Sequence, residues 1–384
     1  MKHLLFITPS RAIGGTNSSL SSIVSFLKDK CDIKVLVISS SGEGKYSFDD
    51  LVISNALLDA YHTEYSKLKS SRKLLAFFIK ILKRVLNFFS ISGEKIINKL
   101  AVKSIEKEYN FDVVIGFSEG ISMRLASQFN VPSKVTWIHC DYDRAVPEYI
   151  NELPYYKKFN GIVCVSKYTK QKFIDRYPSL ASRTTYIYNL LDIERIKSLS
   201  EAQIDDKTFR NDLFTIVSMG RMDPVKGFSL IPKIASELKQ RACEFRWFII
   251  GGPENNEFSK VKSEIQKYDV EDVVFLLGAK RNPYPLLRAS NLYVSTSFSE
   301  ACPMVFLEAK TLGVPIVSAD FGSAREFLNH DNDGYVISQD HMSEVLKELI
   351  NIGQKRSDAN TLREYVCCIN LTMQQKMLDL LFSL

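Results

Sequence analysis

The sequence has no C-x-x-C pair, no complete G-x-G-x-x-G loop and no long uncharged apolar run. Each gap removes a class of protein. The seven cysteines are scattered and Cys367 stands beside Cys368, which suits neither a simple disulfide framework nor a zinc ligand pair. They read as reduced thiols of a cytosolic chain. The apolar start from Met1 to Ile7 is too short for a signal peptide and is followed by no small-residue cleavage site. No window is long and apolar enough to span a bilayer, so a chain that does not cross the membrane is expected. Apolar content of 45% and charge of 24% are ordinary for a globular protein, which argues against disorder and against a repeat array.

What is present points to two domains, because 384 residues exceed one ordinary core. Strand-like runs at 4–8, 33–39, 112–117, 134–138, 162–165 and 185–188 alternate with helical patterns, and Ser166 is placed to cap a helix through Arg176. A polar connection at 189–200 follows. A second series then runs 214–219, 245–250, 273–277, 292–295 and 315–318, with helices at 230–240 and 284–289 between them. Such alternation predicts parallel sheets. The expected fold class is α/β, with two Rossmann-like domains over 1–190 and 191–361 and an amphipathic tail over 362–384. Gly14 and Gly15 sit in the turn after the first strand. Alone they are a weak signal for dinucleotide binding and are satisfied by a tight turn.

The most informative stretch is 297–334. Pro303 fits the first turn of a helix, and Gly313 fits the position just past its end. Within that helix Glu308 is surrounded by Val305, Phe306, Leu307 and Ala309, where a carboxylate is costly unless something donates hydrogen bonds to it. The free amides at the helix start, just after Glu300, form an anion site. Two carboxylates flanking an anion site would grip a sugar nucleotide. In the plainer alternative Glu300 only caps the helix and Glu308 faces solvent, which the apolar company of Glu308 disfavours.

The pattern Glu300, seven residues, Glu308, then Ala309-x-x-x-Gly313-x-Pro315-Ile316-Val317 resembles the signature of family 4 retaining glycosyltransferases, which adopt the GT-B fold. The match continues through 318–326 and the turn 331–334. Gly220-Arg221 and Lys226-Gly227, after the strand at 214–219, resemble the family's cationic loop. Fixed cations there stabilise the charge growing on a nucleoside diphosphate leaving group. The resemblance implies that the first domain binds acceptor and is joined by the helix over 362–384, that the second binds the nucleotide sugar, and the following roles. Arg221 and Lys226 meet the diphosphate, together with the amides near Met304 that follow Pro303. Glu300, beside Ala301 and Cys302, holds hydroxyls of the transferred sugar. Glu308 accepts from the ribose, and Gly251, Gly252, Gly278, Ala279 and Lys280 line the nucleotide pocket. His139 meets the donor sugar, and Gly14 and Gly15 face the cleft. No metal or cofactor is implied, the nucleotide sugar (a UDP-hexose) being a co-substrate. No covalent nucleophile stands out and no general base is assigned: the resemblance implies front-face attack assisted by the departing phosphate. Asp141-Tyr142-Asp143 reads as loop structure at the acceptor side rather than a metal triplet. Cys302 and Ser323-Ala324 depart from the family's usual glycines and leave donor choice open.

Residues 67–103 carry ten basic residues against one acid, Glu94, in a chain of net charge +6. Within them Leu74, Phe78, Ile81, Leu82, Val85, Leu86 and Phe89 fall on one helical face, and Lys73, Lys80, Lys83, Arg84 and Asn87 on the other. The pattern fits a helix lying on an anionic membrane surface, and equally a helix packed on the domain with a solvated basic side. Taken with the resemblance, it implies a peripheral enzyme on the inner face of the cell membrane. Such an enzyme would transfer a hexose to a lipid-linked saccharide in bacterial O-antigen, capsule or lipopolysaccharide assembly, with no nucleic-acid partner. Two alternatives stay open: a GT-B nucleotide-sugar epimerase, and a catalytically silent sugar-nucleotide-binding partner at the membrane.

Overall fold

In the first half of the chain, the inner strands are short apolar runs covered on both faces, as parallel strands require, and a partly buried strand closes each edge. The computed structural model describes the 384-residue chain except positions 13, 43, 69, 89–92, 148–149, 211, 253–255, 329–332, 354–358 and 384, and except the side chains of 83–88 and 359. The strands are β1 (Lys2–Thr8), β2 (Cys31–Val37), β3 (Val52–Ser54), β4 (Val113–Gly116), β5 (Ser133–Ile138), β6 (Gly161–Cys164) and β7 (Thr184–Tyr186). They form one parallel sheet in the order β3-β2-β1-β4-β5-β6-β7. Its core holds Leu5, Ile7, Leu36, Val114, Ile138 and Ile162. The order reverses between β1 and β4, the point where α/β sheets open a crevice at their carboxyl ends.

The second half repeats the plan. It contains β8 (Phe214–Met219), β9 (Phe245–Ile250), β10 (Val274–Gly278), β11 (Leu292–Ser295), β12 (Ile316–Ala319) and β13 (Gly334–Ile337). They pair in parallel as β10-β9-β8-β11-β12-β13, again with a switch point, here between β8 and β11. Ile216, Trp247, Ile249, Val294 and Val317 fill this core. The Trp247 indole donates to Ser218 Oγ at 3.0 Å, and that hydroxyl donates to the Val294 carbonyl at 2.6 Å, so the buried polar groups are satisfied.

The two units are Met1–Leu190 with Met373–Leu384, and Leu191–Thr372. The last helix, Ala359–Ser383, contributes to each. Within unit 2, Asn370 accepts from the Leu191 amide and donates to its carbonyl. Within unit 1, the buried side chains of Met373, Met377 and Leu381 anchor its later turns, and Lys376 Nζ lies 3.7 Å from the centre of the Tyr186 ring.

Several local expectations are corrected. The second strand is Cys31–Val37 rather than 33–39, because the turn at Lys28–Lys30 lets the chain enter the sheet earlier. β3 and β13 are additional strands. β13 begins at Gly334, where a turn over 331–334 was expected; positions 331 and 332 lie outside the described residues. Tyr142–Ala145 is a short helix, not loop, and the carboxylates flanking Tyr142 serve different partners: Asp141 accepts from the Tyr168 hydroxyl at 3.2 Å and Asp143 pairs with Lys172 at 3.3 Å.

The basic segment forms a helix, Ser70–Phe88, oriented differently from a core-facing reading of its apolar face. It packs through Ala76 and Ile79 onto Ala60, Leu68 and Ile97, with Leu75 alongside. The larger side chains Leu74, Phe77, Phe78, Ile81 and Leu82 are exposed, Leu74 by 67% and Phe78 by 58%. Lys73 and Lys80 lie over the Tyr65 ring, and Arg72 pairs with the buried Asp59. Val85 and Leu86, and Lys83, Arg84 and Asn87 opposite them, have side chains outside the described residues, as does Phe89 entirely.

Candidate active site

The loops that leave β8 and β11 meet at the switch point of the second sheet, and a glycine makes that meeting possible. Gly227 adopts φ +64, and a side chain there would place its Cβ 2.3 Å from the Thr296 carbonyl oxygen. The close approach is stitched on both sides: Phe298 N donates to the Val225 carbonyl at 2.8 Å and Thr296 Oγ1 to the Lys226 carbonyl at 2.9 Å. Asp223 steadies the turn by accepting from the Val225 amide at 2.9 Å.

This backbone arrangement brings Lys226 onto Glu300. The ammonium contacts Glu300 Oε1 directly, the Ser297 hydroxyl donates to the same oxygen at 2.9 Å, and both charged side chains are only 17% exposed. Glu300 is also held by its main chain, because the buried Ser323 hydroxyl donates to its carbonyl at 2.6 Å. Arg221, five residues before Lys226, is exposed.

After Glu300 the chain passes Ala301 and Cys302 and enters the helix Met304–Thr311, with Pro303 at the capping position instead of inside the first turn. No side chain caps this helix, so its first amides are available to an anion. Gly313, at φ +70, ends it. Glu308 faces inward, 8% exposed, and accepts a hydrogen bond from the Tyr284 hydroxyl at 3.2 Å. Burial pushes its carboxyl up to about 7, against the opposing effects of the Tyr284 bond and the Lys226 charge. Burial, and then the same carboxylate, push the Tyr284 phenol up.

Gly251 and Gly278 end β9 and β10, and the Gly251 amide donates to the Gly278 carbonyl at 3.0 Å. Gly251 also lies against the Gly220 carbonyl, which a Cβ would approach to 2.3 Å. Gly252 lies against the Ala279 methyl, and Lys280 pairs with Asp206 at 2.6 Å. Every donor residue expected in the second half thus lies on loops at the carboxyl ends of one sheet or on the helix that follows. Lys226 and Glu300 are in direct contact, and Glu308 lies within the helix Met304–Thr311 that follows.

Unit 1 holds the rest. Gly14 precedes the helix Gly15–Leu27. The loop before it is tied by buried Asn17, which accepts from Thr8 Oγ1 and donates to the carbonyls of Ser10 and Ala12. His139 follows β5 directly. Its ring lies 4.8 Å from that of Phe117, and burial pushes its imidazole down to about 3, so it is neutral near pH 7. Its Nε2 is buried and has no partner among the described residues. Among the described residues no group of three or more His, Cys, Asp or Glu is placed to hold a metal ion.

Ser297 and Tyr284 escaped the sequence reading, as did the hydrogen bond from Ser323 to Glu300. Ser297 carried the one local signal, its spacing three residues before Glu300. The Tyr284 and Ser323 contacts span gaps of 24 and 23 residues, which no spacing rule covers.

Paired parallel Rossmann-like sheets with these loops define the GT-B fold. Residues 200–366 match the glycosyl transferases group 1 family model. An uncharacterized glycosyltransferase of Methanocaldococcus jannaschii is 28% identical over 170 residues, 43% of this chain and 41% of that protein. The chain therefore spans less than half the length of that relative. The Campylobacter jejuni N-acetylgalactosamine-N,N'-diacetylbacillosaminyl-diphospho-undecaprenol 4-alpha-N-acetylgalactosaminyltransferase is 23% identical over 277 residues, 71% of this chain and 72% of that one. The crystal structure of Anabaena HepE in complex with UDP-glucose superposes with a TM-score of 0.72 at 18% identity, covering 100% of both chains.

Proposed function

We propose that this chain is a retaining, metal-independent glycosyltransferase that moves a hexose from a UDP-sugar to a lipid-linked saccharide in bacterial O-antigen, capsule or lipopolysaccharide assembly. The observation that carries the reading is the Lys226–Glu300 contact at the switch point, next to an uncapped helix N-terminus. A cation and free amides meet the diphosphate, while a carboxylate beside them meets sugar hydroxyls. As the bond from the anomeric carbon to the β-phosphate oxygen breaks, negative charge grows on the diphosphate. Lys226 and Arg221 oppose it most strongly at that moment, which is what lowers the barrier. The acceptor hydroxyl forms the new bond to the anomeric carbon from the same face, and its proton passes to the departing phosphate. Glu308 accepts from the ribose hydroxyls, and His139 offers its free ring nitrogen to the sugar.

The UDP-glucose bound to HepE supports the donor class, and the polyprenyl diphosphate acceptor named for the Campylobacter relative supports the acceptor class. The exposed apolar side chains of Ser70–Phe88, beside Lys73 and Lys80, support peripheral docking to an anionic inner leaflet. Each basic residue near such a surface contributes about 1 kcal/mol.

The test is UDP release from a panel of UDP-sugars, with and without polyprenyl-diphosphate-linked saccharide and with EDTA throughout. Acceptor-dependent release, stereochemical retention in the product and insensitivity to EDTA are expected. Lys226→Ala should lower kcat on the order of 100- to 1,000-fold, the size seen when one preorganised charge-stabilising group is removed. Conversion of the UDP-sugar without any acceptor would make the protein an epimerase, and no conversion of any donor would leave a binding protein.

A further inference from the structure

The β4–β5 edge of the first sheet contains a carboxylate that the mechanism above does not use. β4 and β5 run parallel in register from Val113–Ser133 to Gly116–Thr136. Glu119 lies three residues beyond β4, and His139 is the first residue beyond β5. Glu119 Oε2 accepts a hydrogen bond from the His139 backbone amide at 2.9 Å. Burial pushes the Glu119 carboxyl up, while hydrogen bonds from the His139 amide, its own amide and the Cys140 thiol favour the charged form. The group is therefore surrounded by donors from the very segment that carries the histidine.

His139 has few other restraints. Its ring rests on Phe117, and its Nε2 has no partner among the described residues. Where that nitrogen points is set by where the backbone leaves β5, and that exit is what Glu119 grips. We infer that Glu119 is a positioning residue: by fixing the His139 backbone it places the imidazole that meets a substrate hydroxyl. The inference rests on the role given to His139 in the proposed transfer reaction. It adds a residue that lies outside the 200–366 match.

The test uses the full chain in four forms: wild type, Glu119→Ala, Glu119→Gln and His139→Ala, with the double variant Glu119→Ala/His139→Ala. Two readouts are needed, steady-state kinetics with the UDP-sugar and long-range nitrogen–proton spectra of the His139 imidazole. Glu119→Ala should move the His139 ring resonances and lower kcat on the order of 10- to 100-fold with the donor KM nearly unchanged, as expected for a misplaced group. Glu119→Gln keeps an oxygen for the amide and should restore most of kcat. In the His139→Ala background, removing Glu119 should cost no more than about 2-fold, because residues acting as a unit are not additive. An equal loss in both backgrounds would mean that Glu119 acts independently of His139, which overturns the inference. Should the wild type turn over no sugar nucleotide, the transfer reading fails on its own. The imidazole spectrum then decides, since ring resonances unmoved by Glu119→Ala exclude the positioning role.

Discussion

Burial brings Glu308 to about 7, so its place in the core and the ribose-binding role proposed for it pull against each other. Its carboxyl is raised from 4.5 to about 7 by burial. For a raised acid, the contribution to folding stability is fully present below pH 4.5 and is lost as pH climbs through about 7. The ionised form, however, is the better acceptor for ribose hydroxyls. The donor KM should therefore fall as pH rises through about 7, while the stability of the free protein declines over the same window. Glu308→Gln should flatten the KM profile between pH 5.5 and 8.5, and Tyr284→Phe, which removes a hydrogen bond to the carboxylate, should shift its midpoint upward. His139 carries the opposite sign: its pKa is depressed from 6.5 to about 3, so its contribution holds above pH 6.5 and is lost as pH falls toward 3. The burial of Glu308 was legible from its apolar neighbours. Its partner Tyr284 was not, because the phenol arrives from a helix 24 residues earlier, and no local pattern encodes that meeting. The direct pairing of Lys226 with Glu300 was hidden for the same reason: the sequence separately assigns them to phosphate and to sugar.

At the scale of elements, the strands Phe214–Met219, Phe245–Ile250 and Leu292–Ser295 were readable to the residue, since each is a buried apolar run between polar boundaries. The helix Lys167–Arg176 was equally clear, because Ser166 caps it by accepting from the Thr169 amide at 3.0 Å. β3 was not readable: it has three residues, lies at a sheet edge and is only partly buried. The amphipathic pattern of Ser70–Phe88 located an apolar face but not its neighbour. The small residue Ala76 and Ile79 turned out to make the packing contact, leaving the aromatic side chains outside. Replacing Phe78 and Leu82 together with glutamate should abolish co-sedimentation with vesicles containing anionic lipid while leaving Tm within about 2 °C, since exposed substitutions rarely change stability by more than about 0.5 kcal/mol. Binding unchanged by that double variant would remove the helix from the docking surface. Gly227→Ala carries a different cost, because the left-handed backbone and the Thr296 carbonyl both oppose a side chain. It should lose about 1–3 kcal/mol in denaturant unfolding and weaken UDP binding together with it, the two loops being held by one turn.

For the whole molecule, the alternating pattern announced two α/β units and the resemblance implied that the final helix joins the first, yet neither gave the point at which the helix is divided between them. Its early turns are fixed in unit 2 through Asn370 and its later turns in unit 1 through Met373, Met377 and Leu381. Met377→Ala should cost about 2–5 kcal/mol, as for other buried methionines cut to alanine. A chain ending at Thr372 should still bind UDP, measured by calorimetry, while its first unit melts at a lower temperature. Loss of UDP binding on that truncation would show that unit 2 depends on the removed turns. The arrangement also sets an order of events during synthesis. All of residues 191–372 emerge from the ribosome before the segment that closes unit 1, so the unit begun second is the first to have its whole chain. The unit begun first must wait, with the groove for Met377 and Leu381 uncovered, until translation has passed the other one entirely.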